Sequence, residues 1–252
     1  MLNRTVLFLA LTMISLAAYG HHPWVWPESA TIDSGESVGF VVFFGHEFPR
    51  ADPLRSERIG PVRLLAPDGQ VVDIDHAAGL NTGPLNQPGV YRLGVEQTRG
   101  YWTRTTEGGQ ARSREQLANA VHCNYSGNSA TTLIRVGDST DSAWSTPLGH
   151  RLEILLLSDP PELGPDQDIQ LRLIFDDQPH AGPVMVFNAD SGEDPVLAME
   201  SDENGQAGFT LPGAGPWLIK AVAEIDYPDP GVCDVERFIA TLAIPAIAEQ
   251  TR

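Results

Sequence analysis

The sequence predicts an all-β chain made of two immunoglobulin-like β-sandwich domains in tandem. After Pro27 it reads as short apolar runs, rich in β-branched and aromatic residues, bounded by Gly, Pro, Asp and Asn. Stretches long enough for an amphipathic helix are few. The length, 252 residues, exceeds one small sandwich and suits two domains of ordinary size. Hydrophobic residues at 42% and charged residues at 19% exclude a disordered polyelectrolyte and a multi-span membrane protein. Acidic residues outnumber basic ones 33 to 16, for a net charge of −17. With no basic stripe to displace counterions, nucleic acid is not an expected partner.

Residues 1–20 carry a basic start at Arg4, an apolar run shorter than the roughly 20 residues of a spanning helix, and small residues at Ala18 and Gly20. That pattern predicts a secretory signal cut before His21 and a periplasmic location. The first sandwich is expected over 21–144. Its strands are 38–44, a nearly continuous apolar run; 62–66 and 70–74, joined by the turn Pro67-Asp68-Gly69; 90–97 after Pro88-Gly89; and 131–136. Ser113 and Gln116 form a capping box, and Leu117 and Val121 share a face at i, i+4, so a short helix is expected there. The polar segment 98–112 is either mobile or held over a functional face.

The second sandwich is expected over 145–252, with the boundary among Ser145, Pro147 and Gly149, ahead of Pro160-Pro161 and Gly164-Pro165. Alternation over 169–175, a partner strand at 183–188, the tight turn Asp202-Glu203-Asn204-Gly205, Phe209 and Leu211 before Pro212-Gly213, and strands at 216–222 and 238–244 complete it.

Catalytic motifs are missing: there is no Gly-x-Ser-x-Gly elbow, phosphate-cradling glycine loop or His-Glu-x-x-His pair, so no catalytic residue is assigned and no enzyme is expected. The seven histidines are more informative. A cut before His21 would give that residue a free α-amine beside its imidazole, a chelate suited to copper and other late first-row ions. If the opening segment and the 38–44 strand pair about residue 34, His22 falls opposite His46, within metal-bridging reach. The bland alternative makes His21 and His22 a frayed terminus and His46 a loop residue. His122 adjoins Cys123 and offers a further ligand. Cys123 and Cys233 are the only cysteines, and an exported chain usually pairs such a couple as a disulfide; left free, Cys123 would be a thiolate ligand beside His122. Trp24 and Trp26, two apart, share one strand face; with Trp102 they would make either a sugar platform or sandwich core. The single lysine, Lys220, reads as a strand position.

With these residues in view the chain resembles the bacterial exported family known as domain of unknown function 4198. The resemblance lies in His21-His22-Pro23-Trp24-Val25-Trp26-Pro27, Phe43-Phe44-Gly45-His46-Glu47-Phe48-Pro49, Pro147-Leu148-Gly149 before Leu152-Glu153-Ile154, and Asp202-Glu203-Asn204-Gly205-Gln206-Ala207-Gly208-Phe209 leading to Gly215-Pro216-Trp217-Leu218-Ile219-Lys220-Ala221. It implies two β-sandwich domains and a periplasmic accessory role in nickel or cobalt uptake, with a membrane metal transporter or outer-membrane receptor as partner. By position it carries over His21 and His46 as metal ligands; His22 and His122 rest on the residue reading alone. Copper is the ion that the terminal histidine chemistry suggests. Two competing readings are a copper oxygenase acting on polysaccharide and a purely structural or adhesive sandwich pair.

Overall fold

The computed structural model describes residues 21–49, 51–139, 141, 143–158, 168–211 and 215–245. The expected signal at 1–20, and the Pro160-Pro161, Gly164-Pro165 and Pro212-Gly213 signals, lie outside them. In the first half run β1 (His22–Pro27), β2 (Thr31–Ile32), β3 (Ser37–Gly45), β4 (Asp52–Pro53), β5 (Ile59–Leu65), β6 (Val71–Asp73), β7 (Asn81–Pro84), β8 (Gly89–Gln97), β9 (Gly100–Thr105), β10 (Gly108–Gln110) and β11 (Ala120–Val136). The second half contributes β12 (Leu152–Leu156), β13 (Asp168–Phe175), β14 (Gln178–Pro179), β15 (Pro183–Asn188), β16 (Leu197–Glu200), β17 (Gln206–Thr210), β18 (Trp217–Asp226) and β19 (Val235–Ile244). The all-β sandwich class is as expected.

The halves do not carry separate pairs of sheets. One central sheet, in the order β16-β15-β18-β19-β11-β8-β5-β6, runs through both, joined where β11 and β19 pair in parallel from Asn124–Val235 to Thr132–Ala243. A small sheet of β12, β13, β14 and β17 covers one of its faces, and a second of β1, β3, β4 and β7 covers the other. Alternation along the strands shows the two faces. Val90 and Leu133 pack with Ile169, Leu171 and Leu173 of β13, whereas the adjacent Tyr91 and Ile134 pack with Val25 of β1 and Phe40 and Val42 of β3. A third apolar cluster crosses between halves, setting Trp24 and Phe48 against Phe187, Leu218 and Ala243, and Thr241 Oγ1 donates to the Pro23 carbonyl at 2.7 Å.

The expected helix is absent. Arg114–Gln116 form a single 3-10 turn, Ser113 makes no side-chain cap, and Val121 and His122 belong to β11. The capping pattern lost because residues 120–126 are claimed by pairing with β9 on one side and by β19, from Asn124, on the other. The segment 98–112 is ordered as β9 and β10, with β9 paired to the first part of β11. Cys123 and Cys233 are joined in a disulfide at the open end of the parallel seam.

Between the halves, Arg92 of β8 and Glu153 of β12 form an ion pair at 2.7 Å, the side chains 2% and 1% exposed. Arg92 also donates to the Trp144 carbonyl at 2.8 Å. The Glu153 carboxylate accepts the backbone N–H groups of Leu148, Gly149 and His150 at 2.9, 2.6 and 2.9 Å. One carboxylate therefore satisfies the connection between the halves, whose sharp bend needs Gly149 at φ +87°. His150 is buried beside it. Desolvation first, then the nearby Arg92 and Arg63 charges, lower its pKa to about 3, so it is neutral at neutral pH.

Three predictions follow from this arrangement. Glu153→Gln leaves the Arg92 charge buried without its counter-ion and should cost about 3 to 5 kcal/mol in denaturant unfolding; a loss below about 1 kcal/mol would deny the pair that role. His150 titrates near 6.5 once unfolded but near 3 when folded, so the unfolded chain binds the extra proton and stability falls as pH drops from about 6.5 towards 3. His150→Leu should flatten that decline, measured as unfolding midpoint against pH, and an unchanged slope would contradict the assignment. Removing the disulfide as Cys123→Ala with Cys233→Ala opens a loop of 110 residues and should cost about 4 to 5 kcal/mol in the chain-entropy account; equal unfolding midpoints with and without reductant would contradict it.

Candidate metal-binding site

The pairing of β1 with β3 positions the candidate ligands. His22 stands opposite Gly45, and the register continues through Trp24–Phe43 and Val25–Val42. It differs by one residue from the pairing about residue 34, and in a strand one residue exchanges the faces. The segment between β1 and β3 is not a tight hairpin: β2 leaves to pair with Arg135 and Val136 of β11 before the chain turns at Asp33-Ser34-Gly35. Continuing the register outward brings His21, rather than His22, opposite His46.

The His21 and His46 ring centroids are 3.8 Å apart, with planes tilted by 58°. His21 also stacks on Phe44 at 5.3 Å, and the Arg58 guanidinium lies over the same phenyl ring at 5.3 Å. A Cβ at Gly45 would come 2.8 Å from the Ala51 Cβ, which is why a glycine precedes His46 where the chain leaves β3. Nδ1 of His46 is occluded and has no hydrogen-bond partner among the described residues, leaving Nε2 as the nitrogen a ligand would meet. Contact with its neighbours desolvates the His21 imidazole and holds its pKa below the usual histidine range, with the proximity of His46 adding to the effect and Glu193 opposing it. A cleft of about 240 Å³ lies alongside, between Glu47 and Phe48 after β3 and Ala189, Asp190 and Gly192 after β15.

The other expected ligands lie apart. His22 is 2% exposed and faces the other side of the strand, its ring 5.6 Å from that of Trp24 and 5.7 Å from that of Phe187. His122 lies 3.8 Å from Asp234. Phe187, beside His22, is level through Leu218 and Ala243 with Thr132, ten positions along β11 from His122. At about 3.3 Å per residue that is about 30 Å. Cys123 is bonded and supplies no thiolate. Trp24 is fully buried and Trp26 packs beside it, so those two make core; Trp102 is 51% exposed, on β9, opposite Asn124. Among the described residues no group of three or more His, Cys, Asp and Glu side chains converges as a metal site. The side chains fit a late transition ion only as a pair of imidazoles, and a third nitrogen would have to come from the backbone. Sequence reading missed Glu47, Asp190 and Glu193 around the pair, because carboxylates are too abundant here for spacing to single any out.

The family model described as "Domain of unknown function (DUF4198)" matches residues 18–225. No curated protein matches the chain. Solved structures with some likeness include a DUF4785 family protein from Legionella pneumophila, at 13% identity and TM-score 0.24 over 84% of this chain and 52% of that one. The D0-D1 domain of Intimin matches at 11% identity and TM-score 0.22 over 87% and 96%. The titin domains z1z2 in complex with telethonin match at 13% and 0.20 over 89% and 96%. The chain spans about half the length of the Legionella protein.

Proposed function

Because the chain belongs to the DUF4198 family, we propose that it is an exported periplasmic protein that captures a divalent transition ion, nickel, cobalt or copper, and hands it on to a membrane transporter or receptor. The observation that carries this reading is the contact between the His21 and His46 rings. Cleavage after Gly20 would add the His21 α-amine, making three nitrogen donors with the His21 imidazole and His46 Nε2. The ion is cargo here, and the chemistry is ligand exchange with no bond made or broken in a substrate. Glu47 and Asp190 in the neighbouring cleft, together with Glu193, give the approach a negative field that favours cations. Selectivity among the three ions would rest on geometry and supply, since intrinsic affinity favours copper.

The oxygenase reading draws less support. It needs exposed aromatic surface beside the histidines, whereas Trp24 is buried and Trp102 lies on the distant β9.

Ligand nitrogens must be unprotonated to bind, so affinity should fall, with proton release on binding, as pH drops through the histidine range near 6.5. The lowered pKa of His21 keeps its imidazole available to a more acidic pH than a free histidine. Mass spectrometry of the exported protein should find His21 at its terminus. Calorimetry of that form with nickel, cobalt and copper should give one ion per chain. His21→Ala and His46→Ala should each weaken binding by about 100-fold, or about 3 kcal/mol, and one extra residue before His21 should do the same, while His122→Ala has no effect. Tight binding by the extended chain would remove the amine from the site, and tight binding by His46→Ala would overturn the reading.

A further inference from the structure

The lower end of the central sheet carries a second surface with a chemistry of its own. On β9 the side chains alternate sharply: Thr103 and Thr105 are 0% and 5% exposed, whereas Trp102 is 51% exposed and Arg104 is also exposed. Trp102 is the most exposed large apolar side chain among the described residues. Its position is held from below by Gly109 of β10, because a Cβ there would collide with the indole. Gly109 does not have the positive φ that demands glycine, unlike its neighbour Gly108 at +126°. Its missing side chain therefore serves the tryptophan, which lies with one part of its ring against the backbone and the rest open to solvent.

The side chains that share this face with the indole are polar, the exposed Arg104 among them, and the Asp234 carboxylate lies 3.8 Å from His122. Asn124 stands opposite Trp102 and His122 opposite Arg104, and directly paired residues share a face. Asn124 uses its amide N–H on Ser126 Oγ at 2.8 Å, leaving its oxygen as an acceptor. Arg104 makes no ion pair among the described residues, although the chain carries a net charge of −17. A guanidinium on the same strand face as a bare indole is complementary to an anion that also has a flat apolar side. A cationic partner would be repelled by the Arg104 guanidinium.

We propose that this face binds an acidic polysaccharide, with the Trp102 indole against the C–H face of a pyranose ring and the Arg104 guanidinium on the carboxylate of a uronic acid. Planar guanidinium matches a carboxylate with two parallel hydrogen bonds, and the indole π-face accepts the polarised C–H groups of a sugar. Asn124 and His122 are placed for the hydroxyls. The surface is about 30 Å from the histidine pair, estimated by the same strand rise, so it is independent of the metal reading.

The test is titration of the full exported chain with oligogalacturonate, against cello-oligosaccharide of the same length, followed by tryptophan fluorescence and calorimetry. Expected is binding of the acidic oligomer that weakens with salt, at least tenfold tighter than the neutral one. Trp102→Ala should abolish it. Arg104→Gln should remove the preference for the acidic oligomer, and Gly109→Val, which displaces the indole without touching a ligand group, should weaken it at least fivefold. His46→Ala should leave it unchanged, separating this proposal from the metal site. No binding by the wild type, equal binding of both oligomers, or undiminished binding by Trp102→Ala in a protein with native circular dichroism would overturn it.

Discussion

The Arg92–Glu153 pair is the constraint on which the arrangement of the halves depends. A carboxylate that is 1% exposed is tolerable only with its hydrogen-bonding capacity filled, and here an arginine and three consecutive backbone N–H groups fill it. Because the arginine belongs to β8 and the carboxylate to β12, the halves cannot separate without exposing both charges or stranding one. Arg63 reinforces the connection from β5, donating to the Leu148 and Gly149 carbonyls at 3.3 and 3.2 Å. With the connection held, β11 and β19 lie side by side, and the central sheet passes from one half to the other.

That continuity also governs what surrounds the histidines. The small sheet containing β1 and β3 covers strands of both halves, so Trp24 of the first half and Phe187 of the second share one apolar cluster. The loop following β15 is thereby carried to the end of β1, where Asp190 and Gly192 face Glu47 and Phe48 across the cleft. Two separate sandwiches on a flexible linker would not supply this neighbour. The field at His21 is accordingly a product of the inter-half packing, and the imidazole pair is a product of one strand register.

Strand positions were the most legible part of the fold. The 183–188 run coincides with β15, and 90–97 with all but the first residue of β8, because apolar β-branched runs between turn residues have few other uses. The short helix was misread because its local pattern was weak and its residues had better partners on β9 and β19. Parallel pairing of residues more than a hundred positions apart leaves no local trace, so the shared central sheet could not be read from spacing. The same holds for the ligand pair. Pattern alone identified His46 as the end of a buried strand, but the choice of His22 as its opposite depended on an assumed turn centre. A shift of one residue sent His22 into the core beside Trp24 and left His21 against His46.

The parallel seam between β11 and β19 has a consequence for how the polypeptide reaches its native state. Contacts of such sequence separation raise the contact order and slow folding, since a long loop must close before any pairing rewards it. As the chain grows from its N-terminus, β11 can find β8 and β9 early. Its other edge, from Asn124 to Thr132, must wait for β19, the last strand described. During that interval it is an open template for a strand of another molecule, whereas in the finished fold Ala130, Thr131 and Thr132 are buried. The architecture thus favours an environment in which nascent edges are shielded, and makes truncation near the C-terminus a route to aggregation rather than to a smaller stable domain.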